Sequence, residues 1–511
     1  MEVNNSMGCE INNCFLKIAF SFDNFEPDKH YEQIESFLKK LTNKFKDATC
    51  REKVVKAHIE TIGKVLCKCN ENLTKDYYED VPSEITGCIT ECYRTLRNAC
   101  AGSKANQDLV VECFPSCLDC CEATLKPFAR CSPEQMRSHP MLAEDKVILL
   151  RCCVQFLGNV VAGHTENSKL VWRQFSKSFR CLLCVEDEKL TQYVCMAIHS
   201  CIQGGGQDND WSSRLGTDQD FLQIVCDILS AVTDTDLEWG IYVVEDAMRI
   251  KGVLEVIDQQ QSEKQRIFAL EVLLGELRNM SETRHLDSDP SGGVKAEGPC
   301  LETLQYLSKE VITKAYNILI VASQDTQMDS TPDLQPEVTV KQIEALGEAT
   351  SNHSVYGALQ DDADLLTSSV YLLEAIHKLG KDSTNDFSSV VKLNSDEVDT
   401  DHPVFGLRKD LIRLIGNMCF RHKPNQERAA NLNALPLILD QTNIDKKNPY
   451  ITQWAILAVR NICEDSPKNR AVLAGLKKQG LADNSAVLRE LGMDAEVRDD
   501  KIYVTPPNKE Q

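Results

Sequence analysis

Aromatic residues are scarce in this chain, at 6%, and there is no run of about 18 consecutive apolar residues. The first deficit argues against a sandwich or barrel, whose strands collect aromatic and β-branched side chains. The second leaves no candidate for a membrane-spanning helix. Asn-Gly and Asp-Gly, the strongest short hairpin signals, do not occur. P-loop, Gly-x-Gly-x-x-Gly, His-Glu-x-x-His and Gly-x-Ser-x-Gly motifs are missing too, so the commonest catalytic and phosphate-binding signatures are absent. Basic residues are outnumbered and the net charge is -21. A polyanion is repelled by phosphate backbones, which argues against a nucleic-acid partner.

What the chain does have is helical periodicity. Ile34, Phe37, Leu38 and Leu41 form one i, i+3, i+4, i+7 stripe, and Val54, Val55, His58, Ile59, Ile62 and Leu66 extend the pattern in a second helix. Similar stripes recur over residues 88–100, 147–161, 191–202, 221–232 and 266–277. Polar, Gly- or Pro-containing breaks separate them, at 204–210, 287–299, 324–337 and 381–403. Residues 281–403 alone carry a net charge of -14 and read as an acidic segment with loops and a few helices. The expected organisation is an N-terminal helical array over 1–280, this acidic middle over 281–403, a C-terminal helical block over 404–495 and a polar tail over 496–511.

A recurring pair of asparagines eight residues apart is the most informative pattern. It occurs as Asn98/Asn106, Asn159/Asn167, Asn417/Asn425 and Asn461/Asn469. The first Asn ends an apolar stripe and the second opens the next helical stretch. The last two pairs are 44 residues apart, within the period of about 40–47 that marks armadillo and HEAT repeats. The fold expected is therefore all-α, an armadillo/HEAT-like right-handed helical solenoid. Asn side chains at helix ends can satisfy orphan backbone groups of the sharp turn that follows. On the third helix of an armadillo unit they could instead hold the backbone of an extended peptide.

One block is more specific than a generic repeat. Leu411-Ile412-Arg413-Leu414-Ile415-Gly416-Asn417 is followed by Pro424-Asn425-Gln426, Leu435-Pro436-Leu437, Asn448-Pro449-Tyr450, and Trp454-Ala455-Ile456 with Val459-Arg460-Asn461. Over residues 405–469 this resembles the signature block of the ataxin-10 family. The resemblance implies an armadillo-like scaffold without catalytic activity, binding other proteins and possessing no cofactor. It also implies roles in cytokinesis, at the centrosome or ciliary base, and in neuronal survival. Self-association is a further expectation. Asn98, Asn159, Asn417, Asn461, Arg413, Trp454 and Arg460 are the candidate structural or groove residues, with Trp454 read as a packing anchor. An importin-alpha-like transport adaptor is the alternative, but Arg94, Gln155, Arg413 and Leu457 stand where such adaptors place Trp, four residues before the ladder Asn.

Twenty-three cysteines would suit a secreted disulfide protein, but Met1–Phe20 lacks the basic and apolar regions of an export signal. Reduced cysteines of a cytoplasmic chain are expected, packed as small hydrophobes. Localisation at a perinuclear site, centrosome, basal body or midbody follows only from the resemblance. Cys117-x-x-Cys120 and Cys181-x-x-Cys184 are separated by about 60 residues, too far for paired zinc knuckles of ordinary spacing, so no metal site is expected. Thr331, Thr505 and Ser466 precede prolines and are candidate phosphorylation sites, with Ser466 also a candidate helix N-cap.

Overall fold

The computed structural model describes the chain apart from residues 1–9, 20–26, 72, 74–80, 114–115, 138–141, 205–208, 287–297, 323–335, 383–384, 390–398, 443–444, 477–493, 499–500 and 506–511. The fold is all-α with one addition at its C-terminal end. It divides into two compact units, Met1–Gln261 and Ser262–Gln511.

The first unit begins with α1 over residues 10–19. Then follow α2 (Pro27–Lys44), α3 (Ala48–Arg51), α4 (Lys56–Asn70), α5 (Ser83–Cys100), α6 (Lys104–Glu112), α7 (Cys117–Ala129), α8 (Pro133–Arg137) and α9 (Glu144–Val161). The series continues with α10 (Thr165–Leu182), α11 (Glu188–Gly204), α12 (Asn209–Leu215), α13 (Gln219–Val232), α14 (Glu238–Met248) and α15 (Val253–Gln260). The long helices α2, α5, α9, α11 and α14 pack each against the next in chain order, and α4, α7, α10 and α13 back them. Burying one stripe of each helix between the two layers is what the apolar periodicity requires. Ile89, Leu96, Phe156, Phe175, Ile198 and Phe221 lie in that interior.

Cysteine shares this core. Cys88, Cys92, Cys100, Cys117, Cys121, Cys153, Cys195 and Cys201 are buried and free. Burial pushes the Cys195 thiol up to about 12 and raises those of Cys117 and Cys121 well above the ordinary value, because a thiolate there would lose its hydration. They behave as small apolar side chains. Cys120 and Cys181 are likewise buried, and among the described residues no cluster of three or more His, Cys, Asp or Glu could hold a metal ion.

The second unit comprises α16 (Glu263–Leu286), α17 (Leu301–Lys314), a 3-10 stretch (Ala315–Ala322), α18 (Pro336–Ala349), α19 (His353–Tyr356), a second 3-10 stretch (Gly357–Asp361) and α20 (Ala363–Asp382). Next come α21 (Leu407–Cys419), α22 (Lys423–Asn431), α23 (Ala434–Leu439), α24 (Ile451–Cys463) and α25 (Pro467–Gly475). A two-stranded antiparallel hairpin, β1 (Asp494–Arg498) with β2 (Lys501–Thr505), pairs Val497 with Ile502 and Ala495 with Val504. The sequence reading had the last of these residues in a polar tail. Five-residue strands leave too short an alternation to stand out beside charged neighbours.

The acidic middle packs into this unit. Helices α17, α18 and α20 bury Leu304, Leu307, Ile343, Leu346, Leu365, Leu373 and Ile376, and α18 and α20 both pack on α21. Phe387 is also buried, in a stretch that reads from sequence as linker. The Arg408 guanidinium bonds the Phe387 carbonyl and Ser389 Oγ, while Lys447 Nζ donates to the Asp386 carbonyl at 2.9 Å. Charge had masked these anchors.

Candidate interaction surface

The asparagine pairs bond one repeat to the next. Each first Asn directs its amide at a backbone carbonyl of an earlier helix packed beside its own. Asn98 Nδ2 donates to the Thr42 carbonyl (2.9 Å) and Asn159 Nδ2 to that of Arg97 (2.9 Å). Asn417 donates to Gly347 (3.1 Å) and Asn461 to Gly416 (3.0 Å). In two of these bonds the acceptor immediately precedes the corresponding Asn of the neighbouring repeat: Arg97 before Asn98, and Gly416 before Asn417. The helices approach closely enough for this because the contact residues are small. A Cβ on Gly416 would stand 2.8 Å from the Ala458 Cβ, and one on Gly158 would meet Met196 and Ala197.

Each second Asn bridges two carbonyls. One belongs to its own repeat, seven residues back: Ala99 for Asn106, Val160 for Asn167, Met418 for Asn425 and Ile462 for Asn469, at 2.8 to 3.2 Å. The other belongs to the preceding repeat: Arg51, Gln107, Gln360 and Gln426 respectively, at 2.7 to 3.3 Å. The own-repeat acceptor is a carbonyl near a helix C-terminus, where intrahelical partners run out. Three residues before each second Asn stands the N-cap, Ser103, His164, His422 or Ser466, whose side chain accepts the Asn backbone N–H. The preceding turn needs a left-handed residue in three copies, Gly102 (φ 67°), Gly163 (φ 67°) and Arg421 (φ 50°).

A glutamine row extends the ladder, and the sequence reading missed it. Gln107 Nε2 donates to the carbonyls of Asn159 (2.7 Å) and Ala162 (3.0 Å) in the following repeat. Gln360 donates to Asn417 (3.0 Å) and Phe420 (2.9 Å), and the Gln426 side-chain oxygen accepts the Asp465 N–H at 3.0 Å. The signal was available in Asn106-Gln107 and Asn425-Gln426, where Gln directly follows the second Asn. Gln360 has no Asn before it and had no such marker.

With these amides engaged, the outward side chains of the long helices define the surface. In the first unit Arg151 pairs with Asp187 in a two-pronged contact, Nε to Oδ1 at 2.8 Å, which holds that carboxyl below its usual range. His199 Nδ1 lies 2.7 Å from the buried Asp246 carboxylate, beside the rings of Trp239 and Tyr242. In the second unit Arg413 meets Glu348 at 2.6 Å, and its guanidinium lies 4.8 Å from the centre of the Trp454 ring. Trp454 is half-buried, Arg460 is exposed, and Tyr450 and Ile456 on the same helix and its N-cap expose 72% and 62% of their area. Asp410 is buried below Arg413, and loss of hydration raises its carboxyl to about 6.

The candidate phosphorylation sites are dispersed. Ser466 is buried as the α25 N-cap, its Oγ accepting the Asn469 N–H at 3.3 Å. Thr505 closes β2 opposite Asp494, and Thr331 lies outside the described residues. No described helix is long and apolar enough to cross a membrane.

The family model described as "Spinocerebellar ataxia type 10 protein domain" matches residues 407–505, the stretch from α21 through the hairpin. Ataxin-10 of Xenopus tropicalis is 29% identical over 486 residues, covering 93% of each chain. Human ataxin-10 is 27% identical over 477 residues, covering 91% of this chain and 93% of its own. Likeness that runs nearly end to end, with the family model over residues 407–505, makes this chain similar to the ataxin-10 proteins.

Proposed function

We propose that the chain is a non-catalytic protein-interaction scaffold of the ataxin-10 type, acting in cytokinesis, centrosome or ciliary-base organisation, or neuronal survival signalling. One observation carries the reading. Asn and Gln amides satisfy backbone carbonyls of neighbouring repeats, so within each unit successive long helices sit side by side and offer their outward side chains as a face. Such a face suits an extended partner segment, whereas a reaction needs a convergent set of groups. Self-association of the chain and a cytoplasmic, perinuclear, centrosomal, basal-body or midbody location belong to the same proposal. Affinity capture with the full-length chain from dividing cells should return a reproducible set of centrosomal or midbody proteins. Recovery no different from that of an unrelated acidic protein would remove the scaffold reading.

The transport-adaptor reading rests on the repeat alone. Arg94, at one of the positions where such an adaptor needs Trp, pairs instead with Glu91 at 3.2 Å. A lysine-rich import-signal peptide should therefore bind no better than a scrambled neutral one.

A further inference from the structure

Three rings meet where α11 packs on α14. The centroids of His199, Trp239 and Tyr242 lie 5.5 to 5.9 Å apart, with Trp239 and Tyr242 edge-to-face at 73°. Each is held from behind. Asp246 Oδ1 accepts from Gln203 Nε2 at 2.6 Å and pairs with Arg249 at 3.3 Å, while the other carboxylate oxygen lies 2.7 Å from His199 Nδ1 without forming a hydrogen bond. The Trp239 backbone N–H donates to Gln192 Oε1 at 3.1 Å, and Gln192 Nε2 donates to the Asp236 carbonyl at 3.3 Å. The Tyr242 hydroxyl donates to Glu238 at 3.3 Å. Tyr242 is nevertheless 38% exposed and Trp239 is half-buried, so fixed aromatic surface faces outward.

The charge beside it is mostly acidic, with Arg249, one residue past Met248, paired to Asp246 at 3.3 Å. From Asp234 to Met248 the chain carries Asp234, Asp236, Glu238, Glu245 and Asp246 and no lysine or arginine. Glu238, Tyr242 and Glu245 are spaced i, i+4, i+7, which places both carboxylates on the Tyr242 face of α14. Aromatic faces attract cations through the ring quadrupole, and flanking carboxylates strengthen the attraction.

The second unit contains the corresponding arrangement already filled. Trp454 lies seven residues before the buried Asn461, as Trp239 lies seven before the buried Asp246. Over Trp454 sits the Arg413 guanidinium, clamped by Glu348. Among the described residues no cationic group is placed over Trp239 or Tyr242.

We infer that the Trp239–Tyr242 shelf, flanked by Glu238 and Glu245, is a docking site for an arginine side chain of a partner protein's extended segment. The inference rests on the scaffold reading and assigns it a surface and a partner chemistry. Arginine fits better than lysine because its planar guanidinium can stack on a ring while its edge N–H groups reach a carboxylate.

The test uses the full chain and a fluorescent (Ala-Arg)4 peptide, with citrulline and lysine counterparts, followed by anisotropy at low salt. The arginine peptide should bind at least about 10-fold tighter than the citrulline peptide and several-fold tighter than the lysine peptide. Trp239→Leu with Tyr242→Leu should lower affinity about 10-fold or more. Glu238→Gln with Glu245→Gln, which leaves the rings in place, should lower it about 3- to 10-fold. Unchanged melting temperature in the Gln pair keeps the result interpretable if the Leu pair unfolds. Equal binding of arginine and citrulline peptides, or unchanged affinity in the Gln pair, overturns the inference. Cellular capture separates it from the broader reading: variants that recover the wild-type partner set refute this site and leave the scaffold standing.

Discussion

Asn469 and Asn461 stand in the same repeat but have different numbers of acceptors. Asn469 Nδ2 serves both Gln426 and Ile462, whereas Asn461 serves Gly416 alone. Removing a buried donor leaves its acceptors unsatisfied at about 1–3 kcal/mol each. Asn469→Ala should therefore lower stability by roughly 2–4 kcal/mol, and Asn461→Ala by about 1–3 kcal/mol, in urea titrations of the full chain. Asp410 works in the opposite sense. Its folded carboxyl titrates near 6, above the ordinary value of 3.8, because burial disfavours the charged form. The protonated folded state is thus favoured. The stability it contributes is complete below about pH 3.8 and is lost as pH rises through about 6. Asp410→Asn should be more stable than the parent at pH 8, by up to about 3 kcal/mol, with the advantage shrinking toward pH 4. A constant difference across that range would contradict the assignment.

Between helices, the expectation that Trp454 is a core anchor has to be weighed against a half-buried ring covered by Arg413. Full truncation of a buried aromatic costs about 3–5 kcal/mol, so Trp454→Ala should fall below that range. A double-mutant cycle with Arg413→Ala should give a coupling of about 0.5–1 kcal/mol, the value for a partly exposed cation–π pair. At the other end of the chain, His58 of α4 clasps α1. Its ring stacks on Phe15 at 4.1 Å, Nε2 bonds Asn12 Oδ1 at 2.8 Å, and Nδ1 accepts the Val55 N–H. Burial lowers the folded pKa of this imidazole. Its contribution is therefore present above the ordinary value of 6.5 and is lost as pH falls below it. Hydrogen exchange over residues 10–19 should accelerate at pH 5.5 relative to pH 7.5, beyond the intrinsic pH effect, and His58→Gln should remove that excess.

For the whole molecule, composition points to where proteases enter and the anchors of the second unit show where they do not. First cleavage is expected within the polar stretches 287–299, 324–337 or 381–403, though within the last of these not at 385–389, which Arg408 and Lys447 hold down. Peptide mapping that placed the first cut beside Phe387 would argue against that docking. The same contrast orders the phosphorylation candidates. Ser466 is 2% exposed and engaged as a cap, so a kinase must open α25 to reach it. Phosphate on Thr331 or Thr505 should precede phosphate on Ser466 in mitotically arrested cells, and Ser466 modified alone would reverse the order.

Helix identity, the repeat and its end signals were legible along the chain because they depend on spacings of three, four, seven and eight residues. The i−7 bond of the second Asn is local in this sense: the sequence places donor and orphan carbonyl one turn apart. Which distant carbonyl each Asn also takes, and that Gln107 and Gln360 reach forward to the next repeat, depended on how closely the long helices approach. That distance is set by Gly158 and Gly416 lying against Ala197 and Ala458, small residues whose partners are about 40 positions away. The docking of the acidic middle was hidden for a related reason. Charge dominates its composition, yet a few apolar side chains and one buried arginine suffice once α18 and α20 provide a surface on α21. The sequence determined the helices and their order. Only tertiary packing decided which polar side chains satisfy the backbone and which remain at the surface, because that choice depends on distances between residues the chain itself keeps far apart.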